Sequence, residues 1–219
     1  LATIGAVVYI CTVIPEYFIR FCGWLLTHTF YNITIVNADN LPRRGPALIV
    51  PNHVAFADPF FIGSTVQRLI RFIMLKNYYD IPVLKFVFKI MDTIPVAPWE
   101  GKESVAKSLE AARQKLLDGH VVCIFAEGGL TRDGEIQEFK TGLETVVAGV
   151  DCPIIPVYLH NVWGSIFSYE RGKAIWKWPK KIPYPITVEY GAPMPASAKA
   201  AEVEQAVRAM AAKYSNRET

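Results

Sequence analysis

From residue 33 onward, apolar runs of strand length alternate with patterns of helical period. The seven runs that predict strands are ITIV (33–36), ALIV (47–50), RFIML (71–75), TIPV (93–96), VVCIF (121–125), IIPVYL (154–159) and ITVEY (186–190). Helices are predicted at residues 59–66, 82–91, 102–117, 142–148 and 200–214. Because strands that alternate with helices form parallel or mixed sheets covered by helices, the pattern predicts one α/β domain over residues 31–219, with a mixed, mostly parallel sheet.

Residues 1–30 are apolar and carry only two formal charges, Glu16 and Arg20. The uninterrupted run before Pro15 has fourteen residues, whereas spanning a bilayer takes roughly 20. We therefore expect a membrane-interfacial hairpin of two short apolar helices, lying in one leaflet. The alternative is that both helices pack on the domain as ordinary core helices. The chain begins at Leu1 inside this segment, as expected of a piece of a larger polypeptide.

Composition narrows the classes of function. Hydrophobic residues make up 52% of the chain, which is high for a fully soluble domain. The net charge of +3 gives little support for a nucleic-acid partner. The four cysteines (Cys11, Cys22, Cys123, Cys152) form no metal-ligand spacing, so we expect reduced thiols in a cytosol-facing domain, with no metal and no cofactor.

A histidine and an aspartate follow the second predicted strand, in the stretch PNHVAFADP (51–59). Asp58 lies five residues after His53, so the two side chains meet only if the chain turns between them. Asp58 before Pro59 is also the pattern of a helix N-cap, and one carboxylate can do both.

A histidine held by a carboxylate can act as a general base. The chain has no G-x-S-x-G motif, and Cys123 lies in an apolar run, so the base is expected to act on a hydroxyl of the substrate. Direct acyl transfer from a thioester to an alcohol fits these groups, because it needs no covalent enzyme intermediate. A purely structural role for His53 is the alternative.

A second polar stretch, FAEGGLTRDGEIQEFKTGLE (125–144), begins where the strand at 121–125 ends. Functional groups gather at the carboxyl ends of parallel strands, so we expect Glu127 to lie near His53. The loop also offers glycines for close backbone approach, a hydroxyl and two cations suited to phosphate: Gly128, Gly129, Thr131, Arg132 and Lys140. A glycine-rich surface loop without function is the alternative.

The two stretches carry a family resemblance. NHVAFAD matches the N-H-x4-D motif of the lysophosphatidic acid acyltransferase family of glycerolipid acyltransferases, EGGLTR resembles its Glu-Gly-Thr-Arg phosphate motif, and IIPVYL resembles a later apolar block. More narrowly, residues 127–144 and 162–191 resemble the acyltransferase domain of bacterial 2-acylglycerophosphoethanolamine acyltransferase/acyl-carrier-protein synthetase, which is often fused to a lysophospholipid transporter. The resemblance implies a glycerol-3-phosphate acyltransferase-like fold.

The resemblance also implies roles for residues. His53 would be the base on the lysolipid hydroxyl and Asp58 its orienter. The glycerophosphate would be bound by loop residues and their neighbours: Asn52, Glu127, Gly128, Gly129, Thr131, Arg132 and Lys140. The chain departs from the family twice: Arg132 is five residues after Glu127 instead of three, and DTIPVAPWE has Pro98 where the family has an arginine. The lost cation is compatible with a bulkier, zwitterionic head group such as phosphoethanolamine.

Aromatic and basic residues are interleaved in WGSIFSYERGKAIWKWPKKIPY (163–184). This mixture suits an anionic membrane surface, with Trp176, Lys177, Trp178, Lys180 and Lys181 as the predicted contacts. The same basic surface could equally bind an acidic acyl carrier protein. A solvated loop without a binding role is the remaining alternative. With the resemblance, it implies a peripheral or monotopic protein on the cytoplasmic face of the bacterial inner membrane.

The sequence therefore predicts an acyltransferase that moves a fatty acyl group from acyl carrier protein or coenzyme A to a lysophospholipid, with lysophosphatidylethanolamine as the first choice of acceptor. Three alternatives remain open. One is a 1-acylglycerol-3-phosphate acyltransferase that makes phosphatidic acid. Another is a non-catalytic domain that presents lysolipid to a fused transporter or acyl-ligase partner. The third is a metal hydrolase with His53, Asp58 and Glu127 as ligands. The acyl tail needs an apolar groove, for which the helix Ile81 to Met91 and the N-terminal hairpin are candidate walls.

Overall fold

The computed structural model describes residues 13–172 and 181–215 together with residues 5 and 9. Within these ranges a single seven-stranded sheet has the order β1-β7-β6-β2-β5-β3-β4. The strands are β1 (Tyr31–Val36), β2 (Ala47–Pro51), β3 (Ile70–Leu75), β4 (Ile94–Val96), β5 (Val121–Cys123), β6 (Ile154–His160) and β7 (Tyr184–Tyr190). Every predicted apolar run contributes to one of them, although β5 ends two residues early because the chain leaves the sheet there.

The sheet is mostly parallel, as predicted. Only β6 and β7 pair antiparallel among the described strands, while β2 pairs parallel with both β5 and β6. The central position of β2 buries it on both faces, which is why ALIV reads as a continuous apolar run. Its carboxyl end, where His53 follows, therefore lies beside the carboxyl end of β5, where the second polar stretch begins.

Helices cover both faces of the sheet. They are α1 (Pro15–Phe30), α2 (Asp58–Thr65), α3 (Lys76–Tyr79), α4 (Pro82–Ile90), α5 (Lys102–Leu117), α6 (Gly142–Val147) and α7 (Ala200–Ser215). Ile49 on β2 packs with Phe61 of α2 in one core cluster. Leu48, one residue away on the opposite face, packs with Leu116 of α5 and Val203 of α7 in the other. The alternation of one strand thus supplies both layers of the core.

Asp58 does not cap α2, although the sequence pattern predicts a cap at this position. Helix α2 begins at Asp58 and has no side-chain hydrogen bond at its N-terminus. The carboxylate instead accepts hydrogen bonds from two backbone N–H groups that precede the helix, those of Val54 and Ala55. Pro59 still occupies the first turn of the helix, where its missing N–H costs nothing.

Helix α1 is the described part of the predicted N-terminal hairpin, whose first arm falls largely outside the described residues. It packs against α2 and also meets α4, yet Thr27 is its only buried residue. Large apolar side chains face outward along it, including Phe21 and Leu26, which are 55% and 60% exposed. No helix in the described part of the chain is both long and apolar enough to cross a membrane.

Candidate active site

The turn between β2 and α2 brings His53 and Asp58 together. The chain reverses over residues 55–58, where the Asp58 N–H donates to the Ala55 carbonyl at 3.1 Å. As a result, His53 Nδ1 lies 2.9 Å from Asp58 Oδ2. The same oxygen accepts the N–H groups of Val54 at 2.7 Å and of Ala55 at 2.9 Å. Asp58 is fully buried, so these donors replace the lost hydration of Oδ2, whereas Oδ1 has no hydrogen-bond partner among the described residues.

This pairing fixes how the imidazole can act. An ionised Asp58 carboxylate can accept hydrogen bonds but cannot donate one. His53 Nδ1 therefore carries the proton, and Nε2 is left with a lone pair. The ring also stacks on Phe125, with centroids 3.9 Å apart, which limits its rotation. An imidazole held in one tautomer beside a buried carboxylate is the arrangement of a general base, since the carboxylate stabilises the imidazolium that forms.

Glu127 holds the backbone of His53 from the neighbouring strand end. Its Oε1 accepts the His53 N–H at 2.8 Å, and its Oε2 accepts the Gln137 N–H at 3.2 Å. Burial raises the pKa of the Glu127 carboxyl to about 7, against the two hydrogen bonds, which lower it. The Thr131 N–H donates to the His53 carbonyl at 3.0 Å. The loop after β5 therefore fixes both polar groups of the His53 backbone.

The rest of that loop presents backbone and cations. Gly128 has a φ of +74°, a backbone conformation that favours glycine. The Arg132 guanidinium lies 3.7 Å from the centroid of the Tyr169 ring, which orients it by a cation–π contact. Both Arg132 and Lys140 are exposed cations, so a phosphate in the solvent can reach them.

An apolar cavity of about 580 Å³ opens beside the histidine. Its walls come from α1, α2, β3 and α4, and they include Trp24, Phe60, Met74, Leu84 and Phe88. His53, Gly128, Gly129, Arg132 and Tyr169 also line the cavity, as do Arg20 and Arg68. The volume is in the usual range for small-molecule sites, and the lining is mainly apolar with a few polar groups. Such a cavity suits one long acyl chain whose reacting end is at His53.

The predicted site residues divide into two groups. His53, Gly128, Gly129 and Arg132 line the cavity, whereas five others do not: Asn52, Asp58, Glu127, Thr131 and Lys140. Asn52 is buried and bonded to the backbone of Leu159. The Thr131 hydroxyl donates to Asp133 at 2.7 Å. The substrate-binding roles of these residues stay predictions, but the side chains of Asn52, Glu127 and Thr131 are engaged within the protein.

The predicted membrane contacts Trp176, Lys177, Trp178 and Lys180 lie outside the described residues. Lys181 is exposed and borders a small second cavity together with Tyr31 and Tyr184. Tyr169 and Phe125 are site residues that the sequence analysis did not select. Phe125 follows a strand in register with β2, which could have indicated its contact with His53; Tyr169 has no such signal.

The metal-hydrolase alternative finds no supporting geometry. Across residues 13–172 and 181–215, no three His, Cys, Asp or Glu side chains are grouped as metal ligands. His53 and Glu127 meet through a backbone N–H, and His53 uses Nδ1 for Asp58. A facial set of ligands would need these groups to converge on one point.

Three comparisons place the chain among known proteins. A family model described as Acyltransferase matches residues 32–160. A probable 1-acyl-sn-glycerol-3-phosphate acyltransferase of Mycoplasma genitalium is 30% identical over 153 residues, covering 64% of this chain and 53% of its own length. A chloroplastic 1-acyl-sn-glycerol-3-phosphate acyltransferase of Arabidopsis thaliana is 29% identical over 133 residues, covering 60% of this chain and 37% of its own length.

A solved structure agrees on the fold. The 1-acyl-sn-glycerophosphate acyltransferase PlsC of Thermotoga maritima aligns with a TM-score of 0.70 at 21% identity, over 89% of this chain and 76% of that one. The chain spans about half or less of the two curated relatives described above. The matched residues run from β1 to the end of β6 and include both polar motifs, and on this basis the chain belongs to the acyltransferase family.

Proposed function

We propose that the domain transfers a fatty acyl group from a thioester to the free hydroxyl of 1-acylglycerol-3-phosphate, which yields phosphatidic acid. The observation that carries the proposal is the His53–Asp58 pair, whose histidine lines an apolar cavity. The names of the relatives favour this acceptor over lysophosphatidylethanolamine, the first choice from sequence. The unusual Pro98 and the longer loop before Arg132 remain reasons to test the ethanolamine lipid as a competitor.

The reaction needs only groups that the site provides. His53 Nε2 takes the proton from the acceptor hydroxyl while the oxygen of that hydroxyl attacks the thioester carbonyl carbon. The tetrahedral intermediate collapses with cleavage of the C–S bond, and the imidazolium returns the proton to the departing thiolate. Asp58 stabilises the imidazolium between these steps. Arg132, an exposed cation that lines the cavity, would bind the phosphate of the acceptor.

The donor and the location belong to the same proposal. The thiol carrier would be acyl carrier protein or coenzyme A, and neither requires a cofactor held by the protein. We also propose a peripheral position on the cytoplasmic face of a bacterial inner membrane; the exposed apolar side chains of α1 support contact with a membrane surface. A fused transporter or acyl-ligase partner is also part of this proposal.

The test is an acyl-transfer assay with the purified protein on phospholipid vesicles. Palmitoyl acyl carrier protein and palmitoyl coenzyme A would be alternative donors, with 1-acylglycerol-3-phosphate and lysophosphatidylethanolamine as competing acceptors. We expect preferred formation of phosphatidic acid, its loss in His53→Ala with lysolipid binding retained, and normal turnover in the matched variant His120→Ala. A preference for the ethanolamine lipid would mean that the acceptor is lysophosphatidylethanolamine and not 1-acylglycerol-3-phosphate. No transfer with any pair would favour the lysolipid-presenting alternative.

A further inference from the structure

Helix α4 is apolar over more of its circumference than contact with a single core explains. On an ideal helix its apolar residues cover an arc of about 200°, whereas a helix that faces one core needs roughly 100°. The remaining arc is occupied by Lys85 and Lys89, which are four residues apart and lie on one side. A helix with so wide an apolar face is normally buried, yet no residue of α4 is buried.

The two halves of that arc have different surroundings. Leu84, Val87, Phe88 and Met91 line the acyl cavity. Val83 and Phe86, on the other half, take no part in the cavity wall and are 81% and 71% exposed. An exposed phenylalanine and valine on one helix face form an apolar patch that calls for a partner.

Two neighbouring helices also carry exposed aromatic side chains. Helix α1 meets α4, and its Phe21 is 55% exposed, as is Phe60 of α2. Lys85 forms an ion pair with Asp80 at 2.7 Å, while Lys89 is exposed beside the patch. Apolar side chains flanked by lysines whose stems lie along them are typical of a helix at the boundary between lipid headgroups and acyl chains.

We propose that the outer face of α4, carried by Val83 and Phe86, docks into the surface of an anionic phospholipid bilayer. This contact rests on the proposed function, because the inner face of the same helix walls the cavity for the acyl chain. One helix then has lipid on both sides, and Lys85 and Lys89 lie at the level of the anionic headgroups. Substrate drawn from the bilayer would enter alongside α4.

The test is co-sedimentation of the whole protein with vesicles of phosphatidylglycerol and phosphatidylethanolamine. We expect the double substitution Val83→Ser with Phe86→Ser to lower the partition coefficient about tenfold or more, because bilayer binding scales with the apolar area buried. The matched control is Ile35→Ser with Leu117→Ser, which removes two apolar side chains that are 43% and 48% exposed on other elements. This control should partition as the wild type does.

A second variant tests the role of charge. Lys89→Glu should weaken binding to vesicles that contain phosphatidylglycerol and leave binding to pure phosphatidylcholine unchanged. Equal partitioning of wild type and the serine variant would overturn the proposal. It would also be overturned if the serine variant bound vesicles normally but needed more acyl carrier protein to reach half-maximal rate, since α4 would then be a protein-docking helix.

Failure of the proposed function is distinguishable from failure of this contact. Transfer from palmitoyl coenzyme A to a short-chain, monomeric 1-acylglycerol-3-phosphate does not require a bilayer. The serine variant should match the wild type in that assay while losing activity on vesicles. If the wild type itself transferred nothing in solution or on vesicles but still partitioned through Val83 and Phe86, the bilayer contact would stand and the acyltransferase proposal would not.

Discussion

His53 is fixed at three polar atoms, and two carboxylates take part. Asp58 holds ring atom Nδ1 at 2.9 Å, Glu127 holds the backbone N–H at 2.8 Å, and the Thr131 N–H holds the carbonyl. Catalysis depends on such placement, because a shift of about 1 Å in a reacting group can cost 100-fold in rate. At the scale of residues, Asp58 holds the imidazole in one tautomer and Glu127 helps to fix its backbone. Neither acidic side chain lines the cavity.

Glu127→Gln should therefore lower kcat and leave the Michaelis constant for the lysolipid nearly unchanged. The amide keeps the shape but turns an NH2 group toward one of the two backbone N–H donors. Above pH 7, where the Glu127 carboxyl with its pKa of about 7 is ionised, the loss of a charge-assisted hydrogen bond costs about 1.5–3 kcal/mol. We expect a fall in kcat of roughly 10-fold to 100-fold. Steady-state kinetics would measure it, with Glu138→Gln in the same loop as the control. A raised Michaelis constant with normal kcat would instead support the substrate-binding role predicted from sequence.

Pairing between β2 and β6 continues past the end of the backbone ladder through a side chain. The ladder ends at Pro51 opposite Val157, and Asn52 then accepts the Leu159 N–H at 2.7 Å and donates to the Leu159 carbonyl at 3.3 Å. At this scale the sequence was informative about elements: continuous apolar runs revealed strands buried on both faces, and α5 has the predicted bounds, residues 102–117. Side-chain direction at the strand ends was not predictable, since it depends on which strand lies alongside.

The variant Asn52→Ala tests whether the Asn52 side chain stabilises the pairing of β2 with β6. Removing the amide leaves a buried N–H and a buried carbonyl of Leu159 without that partner, which costs about 1–3 kcal/mol. We expect a lower free energy of unfolding in a denaturant titration, with the Michaelis constants of the remaining folded enzyme unchanged. Asn32→Ala, at an exposed position of β1, should show neither effect. A variant of normal stability with weaker lysolipid binding would restore Asn52 to the substrate site.

In the whole molecule, the helices that cover the sheet and two of the helices that wall the cavity differ in how many of their side chains are buried. Helices α5 and α7 carry fully buried side chains such as Leu116 and Val203. Helix α1 buries only Thr27, and α4 buries none; both line the cavity. The sequence predicted these helices and named them as candidate walls of an apolar groove, and both do line the cavity. It did not predict the walls that come from α2 and β3, because a cavity is a property of several elements packed together and leaves no period in the sequence.

Occupation of the cavity should therefore stabilise its walls selectively. An acyl chain would contact α1 and α4 along the lining residues, and binding at 100 times Kd contributes about 2.7 kcal/mol against any opening that releases the ligand. Hydrogen exchange on vesicle-bound protein should slow by up to about 100-fold in α1 and α4 when 1-acylglycerol-3-phosphate is added, and stay unchanged in α7. Glycerol-3-phosphate, which has no acyl chain, is the control ligand and should leave both helices unprotected. If both ligands slowed exchange in α1 and α4 alike, contacts with the phosphate rather than the acyl chain would order these helices, and the cavity would not be the acyl site.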